Sequence, residues 1–320
     1  MRKFFLRLLT AAALVSLLSG TTLAAETLIP VGRVVGLELL SDTVTVADFE
    51  ENSPAKAAGL QVGDRILSID GKTVTATEDV RLYLDKSQGS VKIIVSRGGQ
   101  IATFRAEPTI TPEGPKLGVF LRQGVTGIGT VTWYDPETKT FGALGHGVND
   151  SSGGLLSLRK GSVYSARISS VKKGRSGEPG QLMGSLTQPD PLGTLEKNTQ
   201  QGVFGKTFLP FSGEAIPVAQ TDEIRCGPAT ILSTVQGDTP REYSVEILKL
   251  YPTPTRTGRN LLLRITDPTL LETTNGIVQG MSGSPILQNG KLVGAVTHVL
   301  VNDPTRGYGI FIENMLEVAE

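Results

Sequence analysis

Cysteine and histidine are the scarcest reactive residues in this chain of 320, which has one Cys and two His. A lone cysteine, Cys226, leaves no intramolecular disulfide to form. Its setting, Arg225-Cys226-Gly227-Pro228, offers no nearby histidine to activate a thiol, so it reads as a small buried hydrophobe. Neither a His-Glu-x-x-His stretch nor paired-cysteine spacing occurs, which argues against a zinc enzyme; no metal or cofactor is expected. An excess of either charge is lacking too. The 31 Lys and Arg residues balance 31 Asp and Glu, leaving no electrostatic footprint for nucleic acid, and Lys172-Lys173-Gly174-Arg175 reads as a solvated loop. Long helical patterns are few. After residue 18 no apolar run is long enough for a transmembrane helix.

Glycine and proline are abundant, 38 and 18 residues, and short β-branched runs between them predict a mainly β protein with many turns. Residues 1–25 stand apart: Arg2, Lys3 and Arg7 precede an uncharged run over 8–18, and Thr22-Leu23-Ala24 offers a cleavage site. That layout is expected of a secretory signal, with an uncleaved anchor as the alternative; either places the remainder outside the cytoplasmic membrane. Residues 26–110 predict a first domain, with strand-like runs at 34–40, 44–46, 65–69 and 91–95. Two helices are expected there, one after Ser53-Pro54 and one over 78–86 capped by Thr77. A linker is expected at 109–115. Residues 111–320 carry many short apolar runs, which predict a β-barrel or sandwich, and a helix over 312–320.

Chemistry concentrates in Gly280-Met281-Ser282-Gly283-Ser284-Pro285. A hydroxyl between glycines suits a nucleophile whose own N–H and that of Gly280 face a developing oxyanion, with Ser284 as the second choice. The base must be an imidazole, and His146, in Gly145-His146-Gly147, has more room around it than His298, inside the apolar strand 294–300. For the carboxylate that orients the base, Asp150, Asp190, Asp222, Asp238 and Asp267 all remain open on local grounds.

Three resemblances follow from these residues. The stretch 53–71, Ser53-Pro54-Ala55-Lys56-Ala57-Ala58-Gly59-Leu60 through Gly63-Asp64 to Ile69-Asp70-Gly71, resembles the core of a bacterial PDZ domain. By that resemblance Val35-Gly36-Leu37 is the peptide-binding loop, taking a peptide ligand or the chain's own N-terminal region. Gly280-Met281-Ser282-Gly283-Ser284-Pro285 is similar to the nucleophile loop of chymotrypsin-like serine peptidases, which implies a β-barrel peptidase domain over 111–320. The block 276–310, with Gln288-Asn289-Gly290, His298 and Asn302-Asp303-Pro304, looks like the C-terminal block of the sporulation stage IV B (SpoIVB) peptidase family. That family implies His146 as base, Asp267 as orienting acid and Ser282 as nucleophile. It also implies self-cleavage, and substrates that are membrane-bound regulators of a processing protease, cut in the space between two membranes during sporulation. An HtrA-like quality-control protease and a non-catalytic PDZ scaffold are the competing expectations.

Overall fold

A computed structural model describes residues 27–252 and 259–319, so the expected signal or anchor over 1–25 lies outside the described residues. After β1 (Thr27–Pro30), strand β2 (Val34–Phe49) runs for 16 residues. Then come α1 (Pro54–Ala57), β3 (Arg65–Ile69), β4 (Lys72–Thr73), α2 (Thr77–Asp85), β5 (Val91–Arg97) and β6 (Gln100–Ala106). A small hairpin, β7 (Thr109–Thr111) and β8 (Gly114–Lys116), leads into β9 (Val119–Tyr134), also 16 residues long. Strands β10 (Thr140–Ala143), β11 (Leu158–Lys172), β12 (Gln181–Thr199), β13 (Gly202–Thr207) and β14 (Ile216–Pro217) follow. The last stretch holds β15 (Gly227–Ser233), β16 (Arg241–Leu250), β17 (Leu261–Ile265), α3 (Pro268–Thr274), β18 (Pro285–Gln288), β19 (Lys291–Leu300), β20 (Asp303–Phe311) and α4 (Ile312–Ala319).

Antiparallel pairing closes two barrels. In the first, β2 pairs β9, β9 pairs β10, β10 pairs β13, β13 pairs β12, β12 pairs β11 and β11 returns to β2. The second runs β15-β16-β17-β20-β19-β18 and closes on itself. Closure removes the sheet edges and leaves alternate side chains to fill each interior. Val35, Leu37, Val131, Phe141 and Val163 fill the first core; Ile231, Val245, Leu263, Ile286 and Val296 fill the second. Between and below them Leu28, Trp133, Phe204, Leu292, Ile310 and Met315 of α4 form a shared cluster.

The third body grows out of the first barrel. Past the barrel, β2 and β9 keep pairing, Val46 with Leu121 and Phe49 with Val119, and β2 also takes on β3, followed by β5 and β6. This sheet and the two helices α1 and α2 enclose their own core of Val44, Ile66, Ile69, Val80, Leu84, Ile93 and Leu117. Ser53 caps α1 as expected, its Oγ accepting the Lys56 N–H at 3.1 Å. For α2 the cap differs. The helix starts at Thr77, and it is the Asp79 carboxylate that accepts the Thr75 and Ala76 N–H groups at 2.8 and 2.9 Å.

Two expectations change here. Residues 34–40 and 117–121 fall in different expected domains, yet β2 and β9 each run through both, so the smaller module comprises about residues 44–121 and sits inside the first barrel's sequence. Cys226 is exposed, not buried. It stands at the entry to β15, where the chain is fixed through its neighbour: the Arg225 N–H donates to Gln288 Oε1 at 3.1 Å.

The module is braced by Asp64, 0% exposed, whose carboxylate receives both Arg97 Nε and Nη2 at 2.7 Å and the Gln61 N–H at 2.8 Å. Burial alone would raise its pKa; the Arg97 hydrogen bonds, the Gln61 N–H and the guanidinium charge outweigh that, so the carboxyl titrates below its ordinary value. Its contribution is therefore present above the unfolded pKa near 3.8 and is lost as pH falls through the lower folded value. At pH 7, Asp64→Asn should cost roughly 2 kcal/mol in urea unfolding, since Arg97 can hydrate in its absence. Arg97→Gln should cost more, because it strands a buried carboxylate, and that excess should shrink as pH is lowered towards 4.

Candidate active site

The nucleophile loop links α3 to β18, and most of its backbone groups are engaged. The Gln279 carbonyl accepts the Leu182 N–H at 2.8 Å, while the Gln279 N–H donates to Gly180 O at 2.9 Å. The Gly280 carbonyl accepts Thr130 Oγ1 at 2.8 Å. Ser284 N–H donates to Met281 O at 3.0 Å, and Thr130 N–H to Ser282 O at 3.1 Å. Of the N–H groups, Met281 donates to Val278 O and Gly283 to Val296 O, at 3.1 and 2.8 Å. Among the described residues, the N–H groups of Gly280 and Ser282 alone in this run have no partner. Backbone donors left unpaired in a packed loop are uncommon. These two belong to residues i and i+2, the N–H of the expected nucleophile and the one two residues before it, the spacing expected of an oxyanion hole.

Gly283 explains how the loop comes so close. Its φ is +96°, and a Cβ there would lie 2.0 Å from Thr130 O and 2.6 Å from Leu144 N, so no side chain fits. Ser282 is half-buried, and its Oγ donates to the Thr297 carbonyl at 2.8 Å. Ser284 is ruled out as nucleophile. It is 0% exposed and its hydroxyl is spent on Ser233 Oγ at 2.9 Å.

His146 follows the turn at the end of β10. Gly145, at φ +68°, packs against Thr297, where a Cβ would meet Cγ2 at 2.9 Å. Ser282 and the His146 loop therefore lie against the same residue, Thr297, one through its carbonyl and the other through its methyl. His146 Nδ1 lies 2.9 Å from Gly147 O. A carbonyl only accepts, so Nδ1 carries the proton and Nε2 keeps the lone pair a base needs. Burial lowers the His146 pKa, and the Gly147 carbonyl offsets this only in part.

His298, on β19, stands beside it with ring centroids 5.1 Å apart. Its Nδ1 is buried without a partner, and its pKa is pushed down to about 4 by burial, by His146 and by the charge of Arg259. Both imidazoles are thus held neutral at pH 7.

The expected acid is used elsewhere. Asp267 is the N-cap of α3: its Oδ1 accepts the Leu270 N–H at 2.9 Å, and Oδ2 faces the Ser244 N–H at 3.4 Å. Pro268 at the first helical position and the strand end at Ile265 make it a cap on local chemistry alone. Asp150 holds its own turn through Ser152 and Gly154; Asp190, Asp222 and Asp238 are exposed. Among the described residues no hydrogen bond or ion pair joins a carboxylate to either imidazole, and the orienting contact on His146 is the Gly147 carbonyl.

The peptide-binding loop also moves. Val35, Gly36 and Leu37 lie mid-strand, paired to β9 on one side and to β11 on the other, with Val35 and Leu37 buried in the barrel. No edge is open there for an added strand. An open edge occurs instead at Val119, Phe120 and Leu121, which pair with β2 alone among the described residues and face α2. Leu117, Gly118, Val119 and Leu121 on one side and Val80 and Leu84 on the other line a groove of about 390 Å³. The signal was present in Leu117-Gly118-Val119-Phe120, which is nearer the Gly-Leu-Gly-Phe pattern than Val35-Gly36-Leu37.

Two six-stranded barrels, with a serine loop and a histidine turn meeting between them, carry a PDZ-like module on the first barrel's long strands. A family model described as SpoIVB peptidase S55 matches residues 113–316, and the chain belongs to that family. A PDZ domain model matches residues 45–97. A protein of Agrobacterium fabrum named as a zinc metalloprotease is 38% identical over 93 residues, 29% of this chain and 24% of that protein. A protein of Pseudomonas fluorescens named as a DegP-like periplasmic serine endoprotease is 28% identical over 131 residues, 37% of this chain and 28% of its own. The chain thus spans about a quarter of the length of these relatives. Among solved structures, the PDZ domain of an SdrC-like protein from Listeria monocytogenes overlaps 25% of this chain and 87% of that one at 28% identity and TM-score 0.23. Rv3671c from M. tuberculosis overlaps 59% of this chain and 80% of that one at 13% identity and TM-score 0.36. These overlaps are partial, and the fold rests on the chain's own strand pairing.

Two outcomes follow from the site. Because His298 titrates near 4 when folded and near 6.5 when unfolded, the unfolded chain binds more protons between those values. Stability should fall as pH drops from 6.5 to about 4 and then level, and His298→Gln should flatten this part of a urea-midpoint profile. Asp267→Ala should cost about 1 kcal/mol through the lost cap, and Asp267→Asn should restore it. If the carboxylate serves only the helix, Asp267→Asn should keep labelling of Ser282 by a fluorophosphonate within about tenfold of wild type. A loss nearer 10⁴ with stability intact would place it on His146 in a rearranged state.

Proposed function

We propose that this chain is an exported serine endopeptidase that cleaves regulatory proteins at a membrane, itself included, in the compartment signalling of spore formation. What supports the reaction is the pair of unpartnered N–H groups at Gly280 and Ser282, flanking a half-buried serine hydroxyl. With the Ser282 side chain rotated off Thr297 O, its Oγ attacks a peptide carbonyl and His146 Nε2 takes the proton, later returning it to the leaving amine. Gly280 and Ser282 N–H receive the oxyanion, each worth roughly 3–4 kcal/mol to the transition state. Family membership supports the regulatory role. Export is supported by the basic residues Arg2, Lys3 and Arg7 ahead of an uncharged run. The open edge at Val119–Leu121 suits capture of an extended peptide, either from a substrate or from the chain's own N-terminal region.

A second reading, a PDZ scaffold that does not cleave, draws on the Ser282–Thr297 hydrogen bond and on His146 having no hydrogen bond to a carboxylate among the described residues. One experiment separates the two. Wild type and Ser282→Ala, incubated at equal concentration and followed by intact-mass spectrometry, should differ. Wild type should yield fragments and a fluorophosphonate adduct on Ser282, and Ser282→Ala should yield neither while melting at the same temperature. Fragments that persist in Ser282→Ala would remove Ser282 as nucleophile; no adduct on folded wild type would leave the scaffold.

A further inference from the structure

Thr130, on β9 of the first barrel, is 0% exposed, and every polar atom it has is engaged at the site. Its N–H donates to Ser282 O at 3.1 Å and its Oγ1 to Gly280 O at 2.8 Å. Its carbonyl accepts the N–H of Leu144 at 3.2 Å, two residues before His146. The first two contacts hold the peptides on either side of Met281-Ser282 and come from the opposite barrel. The third holds the chain that delivers the base. We propose that Thr130 is the positioning residue of this peptidase: one residue that sets the oxyanion loop, and the nucleophile with it, against the histidine turn.

The hydroxyl is the part a strand residue does not need for pairing. Backbone contacts at this position are open to any residue, but Gly280 O would lose its partner if Oγ1 were absent, and a buried carbonyl without one costs free energy. The loop's relief is to turn the Gly280–Met281 peptide. That rotation drags the Gly280 N–H and Met281–Ser282 peptide out of the oxyanion geometry. Valine matches threonine in shape without the hydroxyl, and serine keeps the hydroxyl without the methyl, so two variants separate hydrogen bonding from packing.

The activity arm of the test rests on the peptidase reading; the exchange arm does not. In the full chain, amide hydrogen exchange at Met281, Gly283 and Ser284 should quicken about five- to tenfold in Thr130→Val and return to near wild type in Thr130→Ser. The maximal rate of Ser282 labelling by a fluorophosphonate should fall at least about tenfold in Thr130→Val, with probe affinity little changed, and recover in Thr130→Ser. Exchange in Thr130→Val at the wild-type rate would overturn the proposal, as would a folded Thr130→Ser that behaves like Thr130→Val. If wild type is not labelled at all while the exchange pattern holds, the peptidase reading fails and the positioning role stands.

Discussion

The register between β2 and β9 is the constraint on which the molecule depends. Val34 faces Thr130 at one end of the ladder and Phe49 faces Val119 at the other. Side chains alternate across a strand, so a slip of one residue would turn Thr130 away from the nucleophile loop and expel Val46 from the smaller core. The same ladder closes the first barrel and founds the second sheet, so the barrel, the loop contact and the PDZ-like module cannot be set independently. Val35 and Leu37 pack one end of β2 into the barrel while Val44 and Val46 pack the other into the module, which makes the slip costly at both ends.

Both imidazoles of the site are neutral near pH 7, with the charge of Arg259 acting on His298. Burial holds His146 below its ordinary pKa, and His298 at about 4 adds no charge near pH 7. A carboxylate would stabilise the imidazolium formed on proton transfer; the Gly147 carbonyl, 2.9 Å from Nδ1, orients the ring and contributes only its dipole. The His146 ring is therefore oriented by a neutral carbonyl, and among the described residues no hydrogen bond joins it to Ser282. The Gly280 and Ser282 N–H groups, by contrast, are set firmly by four held carbonyls from Gln279 to Ser282.

Local chemistry made some of this legible from sequence and hid the rest. Ser53-Pro54 announces α1 through its cap, and Gly280 to Pro285 announces the nucleophile loop, because glycines and a proline constrain the backbone wherever they occur. The barrels were readable as many short strands but not as rings, since closure is a matter of which distant strands pair. Val35-Gly36-Leu37 failed as a binding loop for the same reason: nothing in three residues says that both of their edges are taken, by β9 and by β11. Family likeness points to Asp267 as the acid, whereas Asp267-Pro268 by itself suits the helix cap that it forms. Thr130 carried no signal at all. It is one threonine in an alternating strand, and its role exists only once Gly283 lets the other barrel's loop reach it.

The two long strands also bear on how the module sits against the peptidase. Pairing of β2 with β9 is interrupted between Leu40 and Thr45, where the ladder shifts register, and bulges of this kind bend a strand and sharpen its twist. Left alone, such a bend would let the module swing. Gln123 pins it: Nε2 donates to Ser41 O and to Thr75 O, both at 3.0 Å, and Oε1 accepts the Thr77 N–H at the start of α2, also at 3.0 Å. One amide thus ties the bulge to the helix that walls the groove. Seven residues along the same strand lies Thr130, against the nucleophile loop. Between Leu121 and Thr130 the strand pairs with β2 alone among the described residues, β10 joining only from Val131, so displacement of its free edge at Val119–Leu121 has two outlets. It is absorbed at the bulge, to the extent that Gln123 lets go, or it is carried into the barrel as rotation of the whole β9 ladder. The strength of the hydrogen bonds to this one side chain decides between them.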